Sequence, residues 1–368
     1  MKIICEKDLL VEAVSNVARA ACAKSPVPAL EGILLKAQDG QLQLTGYDLE
    51  LGIVTTIEAK TEQPGRLILS ARLLLDIIRR IPAQTVSILS DERDLATIRG
   101  GASEFTIPGL NAEEYPELPN FEQQSDLVLK QGVLKSMIDQ TLFAIATTDS
   151  KPVHTGSLFD VKDSCVTLVS VDGYRLALRR EPIVSDLTTR FIVPGKTLAE
   201  ISKLLKEEDE EAYLALSQKH IVFRIGGYYV VSRLLEGEFL DYNAAIPKVS
   251  KTTVKINTRS LTDAVERTSL LISDRLRSPI RLSAMDQKVQ LNCSTSMGKA
   301  HDKVDCEMSG EAVSMGFNNK YLMDALKASD CDMVKLEING ALSPMRILPL
   351  EGESFLFLVL PVRVKNDD

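Results

Sequence analysis

Tryptophan is missing from this chain, and Phe and Tyr together supply only 18 of its 368 residues. So few aromatic faces make stacking on exposed bases an unsuitable basis for function. Histidine is nearly as scarce. His154, His220 and His301 lie in three distant segments and make no metal-binding pattern. The six cysteines, Cys5, Cys22, Cys165, Cys293, Cys306 and Cys331, contain no CxxC pair. A chain of this size needs no disulfide staples, so they read as free thiols of a reducing cytosol. Long apolar runs are absent too. The longest, Phe355–Val362, is far too short to span a bilayer. At the start, Met1-Lys-Ile-Ile-Cys-Glu meets charge after two apolar residues, which does not suit a secretory segment. The expectation is a soluble, cytoplasmic protein.

Positive charge is in deficit. Lys and Arg total 43 against 51 Asp and Glu, a net charge of −8. That argues against a surface coated in nucleic acid, but it leaves room for a local basic face. Recognisable catalytic patterns are also wanting. No GxGxxG, GxSxG or Cys/His pairing stands out. Pro194-Gly-Lys-Thr197 is similar to the tail of a phosphate-binding loop, yet the position that must be Gly is Arg190. Val171-Asp-Gly-Tyr-Arg175 reads as a tight turn between strands, not a catalytic Asp loop. The chain is expected to be no enzyme and to need no metal or cofactor.

What the sequence does contain is repetition. An apolar run, a basic step and an amphipathic helix occur at 67–78, 191–202 and 315–326, with Leu74, Leu198 and Leu322 spaced 124 residues apart. Amphipathic helices near 8–21, 132–146 and 259–272 open the three units. Alternating strands follow at Leu42, Val166 and Val289, and a late strand pair closes each unit. The reading is an α+β chain of three domains near 1–121, 126–248 and 251–368. They are joined by Pro119–Asp126 and Pro247–Thr252. Each holds two helices and about eight strands, in two strand–helix–strands halves.

Polar matches between repeats are more informative than core matches. Arg72, Lys196 and Lys320 superpose at the start of the second helix, and Arg79, Lys203 and Lys327 superpose two turns later on the same face. By chance a triple basic match at one position occurs roughly once in 600. Asp76, Glu200 and Asp324 also superpose, so a solvated face of i, i+4 ion pairs is the competing reading. Against it, a cation in the first turn opposes the helix dipole, and basic-before-acidic is the weaker order. A second basic set, Lys24, Lys151, Arg275 and Arg277, lies in loops beside Pro26, Pro152 and Pro279. Such a distribution suits a concave face that holds a polyanion by its phosphates without reading bases.

Four segments carry a family resemblance: Leu44-Thr-Gly-Tyr-Asp-Leu-Glu, Val171-Asp-Gly-Tyr-Arg-Leu-Ala, Glu236-Gly-Glu-Phe-Leu-Asp-Tyr and Leu360-Pro-Val-Arg-Val. With the length and the three domains, the whole chain resembles the sliding-clamp family, the beta subunits of bacterial DNA polymerase III. The resemblance implies a DNA-clamp fold and a head-to-tail homodimeric ring around duplex DNA, with the basic positions facing phosphates. It also implies a groove in which a clamp loader, polymerases and repair proteins insert short peptides. The matching groove positions are His154, Val171, Gly173, Tyr174, Arg175, Leu176, Leu240, Ala244, Leu358, Val359, Leu360, Pro361, Val362 and Arg363. The implied dimer contact sets Phe105 and Ile107 against Leu271 and Ile272. His154 in place of an aliphatic residue, Ala244 in place of a larger polar one, and the tail Lys365–Asp368 depart from the family pattern. Ordinary strand core remains open for Val171, Leu176 and Leu358–Leu360. For the whole chain, two other readings stay open: an enzyme site assembled from scattered carboxylates, and a scaffold that does not bind DNA.

Overall fold

The structure, a computed structural model, describes residues 1–148, 151–206, 209–273 and 278–363. The first repeat runs β1 (Lys2–Glu6), α1 (Lys7–Val17), β2 (Gly32–Gln38), β3 (Gln41–Tyr47), β4 (Leu51–Glu58), β5 (Lys60–Gln63), β6 (Gly65–Ser70), α2 (Ala71–Arg80), β7 (Thr85–Ser90), β8 (Leu95–Gly100) and β9 (Ser103–Pro108). The second runs β10 (Ser125–Lys130), α3 (Gln131–Thr141), β11 (Gly156–Lys162), β12 (Cys165–Val171), β13 (Arg175–Pro182), β14 (Thr189–Pro194), α4 (Gly195–Leu204), β15 (Glu211–Leu216), β16 (His220–Ile225), β17 (Tyr228–Arg233) and the short α5 (Tyr242–Ala245). The third runs β18 (Thr252–Asn257), α6 (Thr258–Ser269), β19 (Ile280–Met285), β20 (Lys288–Thr295), β21 (Gly298–Asp305), β22 (Glu307–Gly310), β23 (Val313–Phe317), α7 (Asn319–Ala328), β24 (Met333–Ile338), β25 (Met345–Pro349) and β26 (Phe355–Val359).

Two details differ from the sequence expectation. Three strands, not a pair, follow the second helix of each repeat. The opening helices are also shorter: α1 and α3 give way to single 3-10 turns at Ala18–Ala20 and Leu142–Ala144. The threefold pattern recurs at the hairpin tips. Asp39, Asp163 and Asp286 all adopt positive φ between the first two strands of their hairpins, a conformation that Asp tolerates and that matches strand twist.

The chain divides into two compact units, Met1–Leu134 with Glu200–Leu234, and Lys135–Ala199 with Leu235–Asp368. The first unit contains a five-stranded sheet, β5-β1-β7-β8-β9, and an eight-stranded sheet, β10-β15-β16-β17-β4-β3-β2-β6. The second contains a nine-stranded sheet, β14-β11-β12-β13-β26-β25-β24-β18-β22, and a four-stranded sheet, β21-β20-β19-β23. All strand pairs are antiparallel, and both large sheets run across the boundary between repeats. In the first unit β4 pairs with β17, Leu51 opposite Ser232 and Gly52 opposite Val231. In the second β13 pairs with β26, Arg175 opposite Val359 and Leu176 opposite Leu358.

Helices form where the apolar stripe repeats at helical spacing, and that stripe is what the sheets bury. On α2 the buried side is Ala71, Leu74, Ile77 and Ile78; on α7 it is Leu322, Ala325 and Leu326. The α6–α7 layer shares one core with Val254, Leu282, Leu291, Leu336, Ile347 and Phe357. Asn257 and Asn318 cap α6 and α7 by accepting from the amides of Ser260 and Lys320. Gly46 is required by a close approach: a Cβ there would meet the Val17 carbonyl oxygen at 2.2 Å, where α1 crosses β3.

Candidate interaction sites

The basic rows lie where the spacing predicts. Arg72, Lys196 and Lys320 occupy the second position of α2, α4 and α7, and all three are exposed, as are Arg79, Lys203 and Lys327. The superposed carboxylates have other partners. Asp76 accepts from Arg80 at 2.7 Å, in the stronger acid-before-base order. Glu200 bonds Lys203 at 2.9 Å and lies 3.7 Å from Arg19. Asp324 accepts from Arg175 at 2.6 Å. Arg79 also has a packing role, donating to Ser15 Oγ at 2.7 Å and tying α2 to α1. Lys24 and Lys151 are exposed in loops after the opening helices. Arg275 and Arg277 lie outside the described residues, as does the Lys365–Asp368 tail.

The groove positions divide into a floor and a rim. Val171, Leu176, Leu358 and Val359 are buried strand residues, so their apolar character is fixed by packing. The first three share one apolar cluster with Phe239 and Tyr242. Tyr174 is 60% exposed, and Leu240, Leu360, Val362, Gly173, Ala244 and Arg363 are exposed too; Pro361 is half-buried. His154 lies buried with its ring edge against Phe239, centroids 5.3 Å apart. Burial, and then the nearby Lys151 charge, hold its pKa below the usual imidazole value.

The turn between β12 and β13 builds the rim. Gly173 takes φ +89°, and Asp172 Oδ1 accepts from the amides of Tyr174 and Arg175 at 2.9 and 3.0 Å. Arg175 turns inward and is buried, its Nε bonding Asp172 Oδ2 at 2.9 Å. The equivalent turn of the first repeat is built alike, with Asp48 Oδ1 accepting from Glu50 and Leu51 and with Leu49 at φ +75°. Its aligned rim side chains are polar, although Leu49 at the tip is exposed. Glu50 stands where Tyr174 stands, and Arg233 where Leu360 stands; both pairs join by the same backbone bond, Arg233 N–H to Glu50 oxygen and Leu360 N–H to Tyr174 oxygen. The fold therefore does not demand an apolar rim at the second turn. Solvent-facing Tyr174 and Leu360 are what a binding groove requires and a strand core does not.

Next to the groove a cavity of about 800 Å³ is lined by Asp172, Arg175, Lys320, Tyr321, Val362 and Arg363, among others. It brings Lys320 of the basic row and groove residues to one place, and Ile272 reaches it as well. Sequence reasoning missed Tyr321 and Phe143, whose rings each approach the Arg175 guanidinium. The only local signal was an aromatic residue directly after a matched lysine.

Phe105 and Ile107 lie on β9, an edge strand of its sheet; Phe105 is exposed and Ile107 buried. Leu271 and Ile272 follow α6 and are half-buried, while Leu270 before them is exposed. A Cβ on Gly298, at the start of edge strand β21, would sit 3.8 Å from Leu271. The phosphate-loop resemblance at Pro194–Thr197 is not structural, because β14 runs directly into α4 with no cradling loop. Among the described residues, no group of three or more His, Cys, Asp or Glu is placed to hold a metal ion, and no helix is long and apolar enough to cross a membrane.

Comparison with known proteins agrees with this geometry. Family models described as the N-terminal, central and C-terminal domains of the DNA polymerase III beta subunit match residues 1–119, 128–241 and 243–363. The beta sliding clamp of Bacillus subtilis is 32% identical, over 99% of this chain and 100% of that one. The crystal structure of the Bacillus subtilis DNA polymerase sliding clamp superposes with a TM-score of 0.95 at 32% identity, covering 99% of both chains. A structure described as a putative DNA polymerase III beta subunit from Eubacterium rectale gives a TM-score of 0.93 at 33% identity, over 98% of this chain and 99% of that one. Matched in all three of its domains, the chain belongs to the DNA polymerase III beta subunit family.

Proposed function

We propose that this chain is a DNA replication processivity factor, a non-enzymatic ring that slides on duplex DNA and tethers polymerase to it. Two copies, each of three domains near 1–121, 126–248 and 251–368, close head to tail. The observation that carries this reading is an unfilled place in the strand pairing. The third hairpin strand of the first repeat, β4, pairs with the last strand of the second repeat, β17. The matching strand of the second repeat, β13, pairs with the last of the third, β26. That leaves β21 of the third repeat and β9 of the first, and each is an edge strand of its own sheet.

A second chain supplies the missing pair. The β16–β17 and β8–β9 hairpins align Ser232 with Ile107, and the β3–β4 and β20–β21 hairpins align Leu51 with Gly298. The register of the first seam then puts Ile107 opposite Gly298 of the partner subunit and Phe105 opposite Ala300 of the partner subunit. Leu271, lying over Gly298, would cover Ile107. Because the contact joins two different edges, it is heterologous, as a ring requires.

Inside the ring the rows Arg72/Arg79, Lys196/Lys203 and Lys320/Lys327, with Lys24, Lys151, Arg275 and Arg277, would meet phosphates without reading sequence. Retention comes from linkage, so individual contacts can be weak and water-mediated, as sliding demands. The groove around Tyr174, Leu240 and Leu360 would take short peptides of the clamp loader, the replicative polymerase and repair proteins. A bound polymerase then rejoins its template at high effective concentration.

The test is retention on nicked circular duplex DNA after loading with a matched loader and ATP, before and after the circle is linearised. Retention on the circle and loss from the linear form is expected; equal retention on both would overturn the topological mechanism. Charge reversal at Lys196 and Lys320 should weaken loading with the dimer intact, and unchanged loading would remove their phosphate role.

A further inference from the structure

Arg175 is the most heavily engaged residue beside the groove, and most of its partners lie away from the groove. Its guanidinium Nη1 donates to Asp324 Oδ2 at 2.6 Å, and Nε donates to Asp172 Oδ2 at 2.9 Å. The guanidinium carbon sits 4.5 Å from the Tyr321 ring centroid and 5.4 Å from that of Phe143. Tyr174, next in the chain, lies roughly parallel to Tyr321 at 6.0 Å. Asp324 and Tyr321 both belong to α7, and Asp324 lies one turn after Lys320 on the side of that helix that also carries Lys327. The groove turn is thus fastened to α7 by one ion pair, one cation–ring contact and one stacked pair.

The fold does not need this fastening to make the turn. In the first repeat Leu51 occupies the place of Arg175, fully buried, and Asp48 closes the same turn through the same two amides. Asp76 and Glu200, the carboxylates that superpose on Asp324, are engaged by Arg80 and by Lys203 with Arg19. The arginine lock therefore occurs at the turn that exposes Tyr174 and is absent from the turn that exposes Leu49 and Glu50.

We propose that Asp324 is a positioning residue for peptide recognition, acting through Arg175 to hold the Asp172–Arg175 turn, and Tyr174 with it, in the peptide-accepting arrangement. This rests on the groove reading given above. A buried guanidinium between two carboxylates and two rings has one favoured place. Without the Asp324 charge the ion pair to α7 is lost, and only the Tyr321 ring, through the guanidinium and through Tyr174, still joins that turn to the helix. Tyr174, with much of its ring in solvent, is then set only by its stacking on Tyr321. The same helix presents Lys320 toward the basic row, so groove and row share one rigid element.

The experiment is a double-mutant cycle read by fluorescence anisotropy with a labelled hexapeptide carrying adjacent Leu and Phe anchors, the chemistry an apolar groove takes. Asp324→Asn should weaken binding about tenfold, Asp324→Glu should restore part of it, and the melting temperature should stay within a few degrees. In an Arg175→Gln background Asp324→Asn should add no further loss, whereas a merely destabilising change would add its effect again. Full affinity in Asp324→Asn, or additive losses, would overturn the proposal. Leu360→Asp separates the two readings. If it abolishes binding while Asp324→Asn does not, the groove stands and the positioning role falls; if the wild type binds no better than Leu360→Asp, the groove reading falls and the positioning role with it.

Discussion

His154 shows how one substituted residue changes the behaviour of a site. Its ring is buried beneath the groove rim against Phe239, where an uncharged ring packs well and a charged one does not. Burial and the Lys151 charge depress its folded-state pKa, only partly offset by Asp172. In the unfolded chain it titrates near the ordinary value of about 6.5. The sign follows: below that pH the unfolded chain takes up a proton that the folded chain resists, so stability is present above about pH 6.5 and is lost as pH falls. Melting temperatures between pH 7.5 and 5.5 should drop less in His154→Leu than in the wild type. Some slope should remain in the variant, because burial also lowers the pKa of His220. Equal slopes would show that His154 carries no linkage. The residue scale is also where sequence reading was least complete. Leu176 and Leu360 are the same amino acid in adjoining strand segments, yet one is floor and the other rim. Only the pairing of β13 with β26 decides which face each one takes.

At the scale of the element, the second helices have a cation at their second position, where the dipole favours an anion. That arrangement costs stability. Arg72→Gln with Lys320→Gln should therefore leave the melting temperature unchanged or slightly raised, by at most about 1 kcal/mol per site, while retention on DNA circles falls. A lower melting temperature would mean that these cations stabilise the helices, and the solvated-face reading would regain ground. The helices and hairpins were largely legible in the sequence, because apolar periodicity at a fixed repeat length is a local signal and polar matches share its register. The Asp39-Gly40 hairpin tip, with positive φ at both residues, was not singled out from the sequence. The sheets were not legible. β17 joins β4 and β26 joins β13 across repeat boundaries, and no periodicity within a strand names its neighbour. The partner of Asp324 was hidden for the same reason: helical spacing offers Lys320, and the tertiary fold supplies Arg175.

For the whole molecule, the two within-chain seams and the two edge strands set an expectation about assembly. Phe105→Arg places an unpaired charge in the proposed seam, where it would be desolvated without a partner. Sedimentation should then show single chains at concentrations where the wild type is dimeric, with the circular dichroism of each chain unchanged. A dimer of wild-type strength would place the contact elsewhere. The threefold organisation was readable at this scale from the apolar register that spaces Leu74, Leu198 and Leu322 by 124 residues, and the polar agreement at Arg72, Lys196 and Lys320 pointed beyond the fold to a shared charged face. The ring itself was not readable from composition: an acidic chain carries its positive charge in short rows, and net charge averages them away.

The same edges bear on how the protein behaves when it is not assembled. A solitary chain presents two open ladders of amide and carbonyl groups, along β9 and β21, and in the proposed seam each would pair with the other. Joining them head to tail in any arc that fails to close would give open-ended polymers, and mismatched strands from other proteins could add to either end. Neither edge is guarded by charge of one sign: β9 carries Glu104, paired with Arg99, and β21 carries Lys299 and Lys303 together with Asp302 and Asp305. Closure of the proposed ring would use both edges at once, and that closure, not strand charge, is what would leave no end free for a fibre to grow from.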